Sequence, residues 1–203
     1  KYKQAIECQN QCLIIRQQLD NQASISLSYY QLGRIYTDWG KYEQAVNCYQ
    51  QSQDISQQLG SDKDIANQYY WLANCYCLWG KYRQAIEFQN KCLTIRQHLD
   101  NQADIALGYF QLANIYQTWG KYKQAINYHQ QSKDIYQQLG RDKHFAGQWS
   151  WLASCYQDLK DYQKAIEYRQ ESLALHQQLS QDENAARQYR KIADSQISLA
   201  KNI

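Results

Sequence analysis

The chain has 203 residues, with 22 Lys and Arg against 19 Asp and Glu and a formal net charge of +3. That excess is too small, and the basic residues too evenly spread, for the electrostatic footprint of a nucleic-acid binder. No apolar run is long enough to span a bilayer, and the opening is neither a signal peptide nor an initiator methionine.

Residues 1–19 begin with Lys1-Tyr2-Lys3-Gln4-Ala5 and carry Tyr2, Ala5, Ile6, Cys12, Leu13 and Leu19 on one helical stripe. The same phrase returns as Trp39-Gly40-Lys41-Tyr42-Glu43-Gln44-Ala45, as Trp79-Gly80-Lys81-Tyr82-Arg83-Gln84-Ala85 and as Trp119-Gly120-Lys121-Tyr122-Lys123-Gln124-Ala125. A worn copy stands at Leu159-Lys160-Asp161-Tyr162-Gln163-Lys164-Ala165. The chain is therefore a repeat with a period of about 40 residues. It opens inside a repeat and holds no Met, which reads as a piece of something longer.

Apolar residues flank each phrase at helical spacing: Tyr29, Leu32, Gly33 and Tyr36 before Trp39, then Tyr42, Ala45, Val46, Tyr49 and Ile55 after it. Gly40, Gly80 and Gly120 sit where one stripe stops and the next begins, the place for a left-handed residue that ends a helix. Each period is a helix, a tight turn and a second helix. First helices are expected over 23–38, 63–78, 103–118 and 143–158, and second helices over 42–59, 82–99, 122–139 and 162–179. The paired repeats thus span 23–59, 63–99, 103–139 and 143–179, after an unpaired second helix at 1–19.

The connection Leu19-Asp20-Asn21-Gln22 and its counterparts after Leu59, Leu99 and Leu139 offer Asp and Ser as caps for the next helix. Residues 182–203 read as a closing first helix that caps the array, with Tyr189, Ile192, Ala193 and Ile197 inward and Arg187, Arg190 and Lys191 to solvent. The turn at Leu159-Lys160 lacks glycine. A left-handed Lys costs roughly 1–2 kcal/mol, so this turn is expected to be differently shaped or weak. Lys1 to Gly40 matches Lys81 to Gly120 at roughly two-thirds of positions, which suggests duplication of a double unit.

Seven cysteines, an odd number, fall mostly on helix faces where other repeats carry Ile, Ser, Phe or Tyr. They read as small buried thiols of a reducing, cytoplasmic protein. Cys8 and Cys12 lie four apart without a CxxC pair or a nearby His, so packing is the expected role and no metal or other cofactor is implied. The glutamine pairs, such as Gln17-Gln18 and Gln57-Gln58, read as an uncharged solvated helix face. His98, His129, His144 and His176 form no constellation with Cys, Ser or Asp, and no Gly-rich phosphate loop occurs, so no enzyme is read here. His98, His129 and His176 fall on second helices, where a solvated imidazole is expected.

Tyr29, Leu32, Gly33, Tyr36, Ala45 and Tyr49 stand where the tetratricopeptide repeat has its W-x2-L-G-x2-Y, its later Ala and its following aromatic. The pattern recurs at Tyr69, Leu72, Ala73, Tyr76 and Ala85, at Tyr109, Leu112, Ala113, Tyr116 and Ala125, and at Trp149, Leu152, Ala153, Tyr156 and Ala165. The chain resembles a tetratricopeptide array over nearly its whole length. The longer period and the absence of Pro resemble the extended subclass of kinesin light chains, Pins-type adaptors and many bacterial multidomain signalling proteins. The aromatic after the Ala is displaced to Phe88, Tyr128 and Tyr168, leaving Gln89, His129 and Arg169 at the usual site.

The resemblance implies an all-α, right-handed solenoid of stacked antiparallel helix pairs, one array over 1–203, with first helices lining a concave wall. It places on that wall Leu27, Tyr30, Arg34 and Thr37; Asn67, Tyr70, Asn74 and Cys77; Leu107, Phe110, Asn114 and Gln117; and Gly147, Ser150, Ser154 and Gln157. An aromatic row of Tyr30, Tyr70 and Phe110 beside a polar row of Arg34, Asn74 and Asn114 suits a peptide. The same aromatics would equally serve to pack neighbouring first helices. Arg34 faces a partner carboxylate or else Asp38 on its own helix. The expected function is a non-catalytic scaffold for a protein or peptide, with no nucleic acid and no membrane. The alternative is a sensor region of a larger nucleotide-dependent switch or protease with intramolecular contacts. End-to-end self-association through residues 1–19 is a further expectation, because half of that helix's stripe lacks a partner.

Overall fold

The computed structural model describes residues 1–140 and 142–201, with side chains described except at 142–146. Among the described residues the order is α1 (Tyr2–Gln18), α2 (Gln22–Asp38), α3 (Tyr42–Gln58), α4 (Asp62–Leu78), α5 (Tyr82–His98), α6 (Gln102–Thr118), α7 (Tyr122–Gln138), α8 (Asp142–Asp158), α9 (Tyr162–Gln178) and α10 (Asp182–Ala200). No strand occurs among them. From α1 to α9 the boundaries agree with the periodicity to within a residue, since the apolar stripes and the turn residues mark them locally; α10, expected over 182–203, spans Asp182–Ala200. The chain divides into two compact units, Lys1–Asp100 and Asn101–Ile203.

In the first unit α2 packs on α3 and α4 on α5, and α1 and α3 each lie against the first helix that follows. In the second, α6 pairs with α7, α8 with α9, and α9 also packs on α10. Both are stacked helix pairs. The repeated alanines at the pair contacts are sealed: Ala45, Ala85, Ala125 and Ala165 are all at 0% exposure.

The turns share one geometry. Gly40, Gly80 and Gly120 have φ of 74°, 78° and 76°, and Gly40 N donates to Thr37 O while Lys41 N reaches back to Tyr36 O. Lys160 adopts φ 63°, and the same two bonds run from Lys160 N to Gln157 O and from Asp161 N to Tyr156 O. The expectation of a differently shaped fourth turn is corrected: its shape is retained and a Lys carries the strain. Asp20, Asp100 and Ser180 are left-handed as well. Asp20 and Asp100 are therefore turn residues and not caps. Capping falls to Asn21 and Asn101, which accept from Ser24 N and Asp104 N, and to Asp161, which accepts from Lys164 N. At the fourth connection, after Leu139, residues 141 and 142–146 lie outside the residues or side chains described.

In the first unit the turn motif also links repeats. Trp39 stacks on Tyr2 and Trp79 on Tyr42, both with centroids 5.9 Å apart. The Trp closing a first helix thus lies on the Tyr that opens the preceding second helix, and Lys81 Nζ sits 3.3 Å over the Trp79 ring.

Candidate functional site

The first helices carry the residues assigned to the groove, and their side chains fall into spent and unspent groups. In the first unit Leu27 is 44% exposed, and Arg34 and Asn67 are exposed. Tyr30 is half-buried, edge-on to Trp71 of α4 at 6.1 Å. Among the described residues Arg34 pairs with no acid; its guanidinium lies 4.7 Å over the Trp71 ring. Thr37 is withdrawn from the wall at 4% exposure, its hydroxyl donating to Gly33 O at 2.9 Å and meeting Tyr49 Oη at 3.2 Å. Tyr70, Asn74 and Cys77 are half-buried. The Arg96 guanidinium sits 5.6 Å over Tyr70, and burial raises the Tyr70 pKa.

The second unit repeats the theme with different residues. Leu107 and Phe110 are half-buried, and Phe110 is edge-on to Trp151 at 5.8 Å. Asn114 keeps its Oδ1 buried without a hydrogen-bond partner among the described residues. Gln117 Nε2 donates to Ser154 Oγ at 3.3 Å and Asp158 Oδ2 at 3.4 Å. Ser150 meets Ser172 Oγ at 2.8 Å and accepts from Gln188 Nε2 at 2.7 Å. Gln157 accepts from Arg169 Nη1 at 3.1 Å and Ser195 Oγ at 2.8 Å, so it serves packing. Gly147 is half-buried.

Each unit holds a cleft between consecutive first helices. The first, of about 310 Å³, is lined by Ala23, Ser26, Leu27, Tyr30, Ser52, Asp64, Asn67 and Gln68. The second, of about 440 Å³, is lined by Gly147, Ser150, Trp151, Ser154, His176, Gln181, Asn184, Arg187, Gln188 and Lys191. Of the residues assigned to the groove, Leu27, Tyr30, Asn67, Gly147, Ser150 and Ser154 line these clefts. Asp64, Gln68, Trp151, Asn184, Arg187 and Lys191 were not read from the family positions. Their signal was the register: Asp64 and Asn184, Asn67 and Arg187, and Gln68 and Gln188 occupy equivalent places three periods apart.

Two histidines expected in solvent are buried. His129 is at 0% and His176 at 6% exposure. His129 stacks on Trp151 with centroids 6.1 Å apart, and burial pushes its pKa down to about 4, opposed by Gln148. His176 Nδ1 meets Gln181 Oε1 at 2.8 Å. Arg169, also buried, gives Nη1 to Lys191 O at 2.7 Å and to Ser195 Oγ; burial lowers its pKa. Among the cysteines, Cys75, Cys92 and Cys155 are buried, while Cys8 and Cys12 are exposed. The His144 side chain lies outside those described.

Models of the tetratricopeptide repeat match residues 1–58, 64–138 and 149–183. The chain belongs to the tetratricopeptide repeat family. No curated protein matches the sequence. Among solved structures this tetratricopeptide protein is similar to BtubC from P. vanneervenii, with 20% identity and a TM-score of 0.76, over 98% of this chain and 87% of that one. It is similar to a signal-transduction ATPase with numerous domains and a tetratricopeptide repeat sensor from Pyrococcus horikoshii, at 20% identity and TM-score 0.72. That match covers 86% of this chain and 26% of the other. A Rap protein complexed with competence and sporulation factor matches at 19% identity and TM-score 0.65, over 100% of this chain and 61% of that one. These likenesses establish the fold of the tetratricopeptide repeats. No helix among the described residues is long and apolar enough to cross a membrane.

Proposed function

We propose that the chain is a non-catalytic interaction scaffold that holds a peptide segment, or a segment of a partner domain, against its first helices. The observation that carries this reading is the cleft between α2 and α4, where Leu27 is 44% exposed beside an exposed Asn67. An exposed Leu next to an amide that can both donate and accept offers apolar burial and backbone hydrogen bonds together. In the first unit Tyr30 lines the cleft, with Arg34, Tyr70 and Asn74 on the same two first helices; in the second, Ser150 and Ser154 line the counterpart cleft, with Phe110, Asn114 and Gln117 on the preceding first helix. The reading is supported by the family and by the Rap protein seen with a bound factor.

A second reading, a sensor region of a larger signalling protein, is favoured by the likeness to the tetratricopeptide sensor of the Pyrococcus horikoshii ATPase. The two readings share one surface and differ in where the ligand comes from. Peptides selected from a random display library on the full chain, then titrated against Leu27→Ala/Asn67→Ala, test the shared surface. At least tenfold weaker binding with an unchanged melting curve is expected, about 1.4 kcal/mol. Equal affinity for parent and variant would remove the cleft from the binding surface.

A further inference from the structure

The cleft between α2 and α4 has a definite polarity. We infer that it takes a basic side chain, Arg or Lys, of an extended peptide, with the methylene stem along Leu27 and Tyr30 and the cationic head at Asp64 and Asn67. This rests on the reading of the first helices as a ligand surface.

The hydrogens beneath the cleft can be followed one by one. Ser26 Oγ donates to Ser52 O at 3.0 Å, and Ser52 Oγ donates to Ser26 O at 2.8 Å. Ser56 Oγ lies 3.0 Å from Ser26 Oγ and, with Ser26 already donating, supplies that hydrogen. Gln68 Nε2 gives its two hydrogens to Ser52 Oγ at 2.8 Å and Ser56 Oγ at 2.9 Å. Every donor of the network is then used. What is left over is an acceptor: Gln68, 3% exposed, has an Oε1 with no partner among the described residues, and such a group favours a donor-bearing neighbour.

The rim has the same sign. Asp64 accepts from Ser61 Oγ through Oδ2 at 2.6 Å, which leaves its other oxygen for a charge-assisted bond. Among the lining residues Asp64 is the charged one, and no Lys or Arg balances it there. An acidic ligand group would meet a carboxylate and an unpaired carbonyl. A guanidinium or ammonium would satisfy Asp64 while its stem covers apolar surface.

The equivalent cleft three periods on acts as an internal comparison. Gln188, also at 3% exposure, again donates Nε2 to a serine, Ser150, at 2.7 Å and again has Oε1 without a partner among the described residues. There, however, Asn184 replaces Asp64, Arg187 replaces Asn67 and Lys191 replaces Trp71. The fold supplies the cleft and its amide floor. Residues on the facing side of the second helix of each cleft set the sign.

The test is random-peptide display on the full chain, in parallel on Asp64→Asn, which installs the residue type found at 184. Affinities of selected peptides are then read by fluorescence anisotropy. Peptides selected on the parent are expected to share one Arg or Lys position. Changing that position to Gln should weaken binding to the parent about tenfold, in line with a charge-assisted bond, and leave binding to Asp64→Asn nearly unchanged. Leu27→Asp should abolish binding of both, which localises the peptide, and melting curves confirm that the variants fold. Peptides that are lost with Leu27→Asp but share no basic position would overturn the inference and leave the groove reading intact. Peptides indifferent to Leu27→Asp, or no peptides at all, would overturn both.

Discussion

Gly33 is fixed by one neighbour. A Cβ built there would lie 2.6 Å from Tyr49 Cε1, so the glycine and the tyrosine are chosen together. Where the repeat has Ala73, Ala113 and Ala153, the residue equivalent to Tyr49 is Gln89, His129 and Arg169. The displaced aromatic seen in the sequence is the other half of this exchange. Gly33→Ala is expected to destabilise the protein by about 1–3 kcal/mol through overpacking. Adding Tyr49→His, the pairing of the third repeat, should recover part of that loss in urea melts. Lys160, left-handed at φ 63°, presents the opposite case. Lys160→Gly should raise stability by roughly 1 kcal/mol, since it removes the Cβ strain of that conformation. A lower midpoint for Lys160→Gly would show that the side chain contributes more than its strain removes.

Periodicity placed the helices and most of their apolar faces, such as Leu32, Ala45 and Tyr49, but not the polar faces buried between repeats. A helix inside a stack of pairs has two covered sides, one against its partner and one against the next repeat, and only the first needs to be apolar. Ser52, Ser56, Ser132 and Ser172 are at 0–1% exposure, and Gln68 and Ser52 bond across the seam between α3 and α4. α10 shows the consequence most clearly. Tyr189 and Ile197, expected inward, are 56% and 54% exposed, whereas Ala185, Gln188 and Ser195 are buried. The helix is turned so that Ser195 and the Lys191 carbonyl receive Arg169. Ile197→Ser should therefore change stability by less than about 0.5 kcal/mol. Ser195→Leu should lose several kcal/mol, because it both removes an acceptor from a buried guanidinium and overpacks the seam. Equal effects in thermal melts would contradict this orientation.

For the molecule as a whole, pH dependence follows from burial more than from net charge, which is only +3. His129 is held neutral in the folded state with its pKa pushed to about 4, against an ordinary 6.5. The unfolded chain binds the proton more readily, so this contribution is complete above pH 6.5 and is lost as pH falls from there towards 4. The loss amounts to about 3 kcal/mol at most. His129→Gln, the residue type at 89, should flatten the fall in stability over that range relative to the parent. An identical pH profile would show that other groups carry the acid response.

The sequence by itself determined the period, the helix ends, the left-handed turns at Gly40, Gly80 and Gly120 and the pairing of helices. All of these follow from the backbone preferences of Gly and from apolar spacing within a few turns of chain. Leu27, Tyr30, Asn67, Ser150 and Ser154 were assigned to the first-helix wall by the family resemblance and not by spacing, and they line the two clefts. Only the tertiary structure decided that Thr37, His129 and His176 are buried, that Arg34 lies on Trp71, and that one cleft is acidic while its counterpart is basic. Those outcomes depend on a second contact face between repeats, where polar residues are sealed by hydrogen bonds, and no local periodicity distinguishes a polar residue in such a seam from one in water.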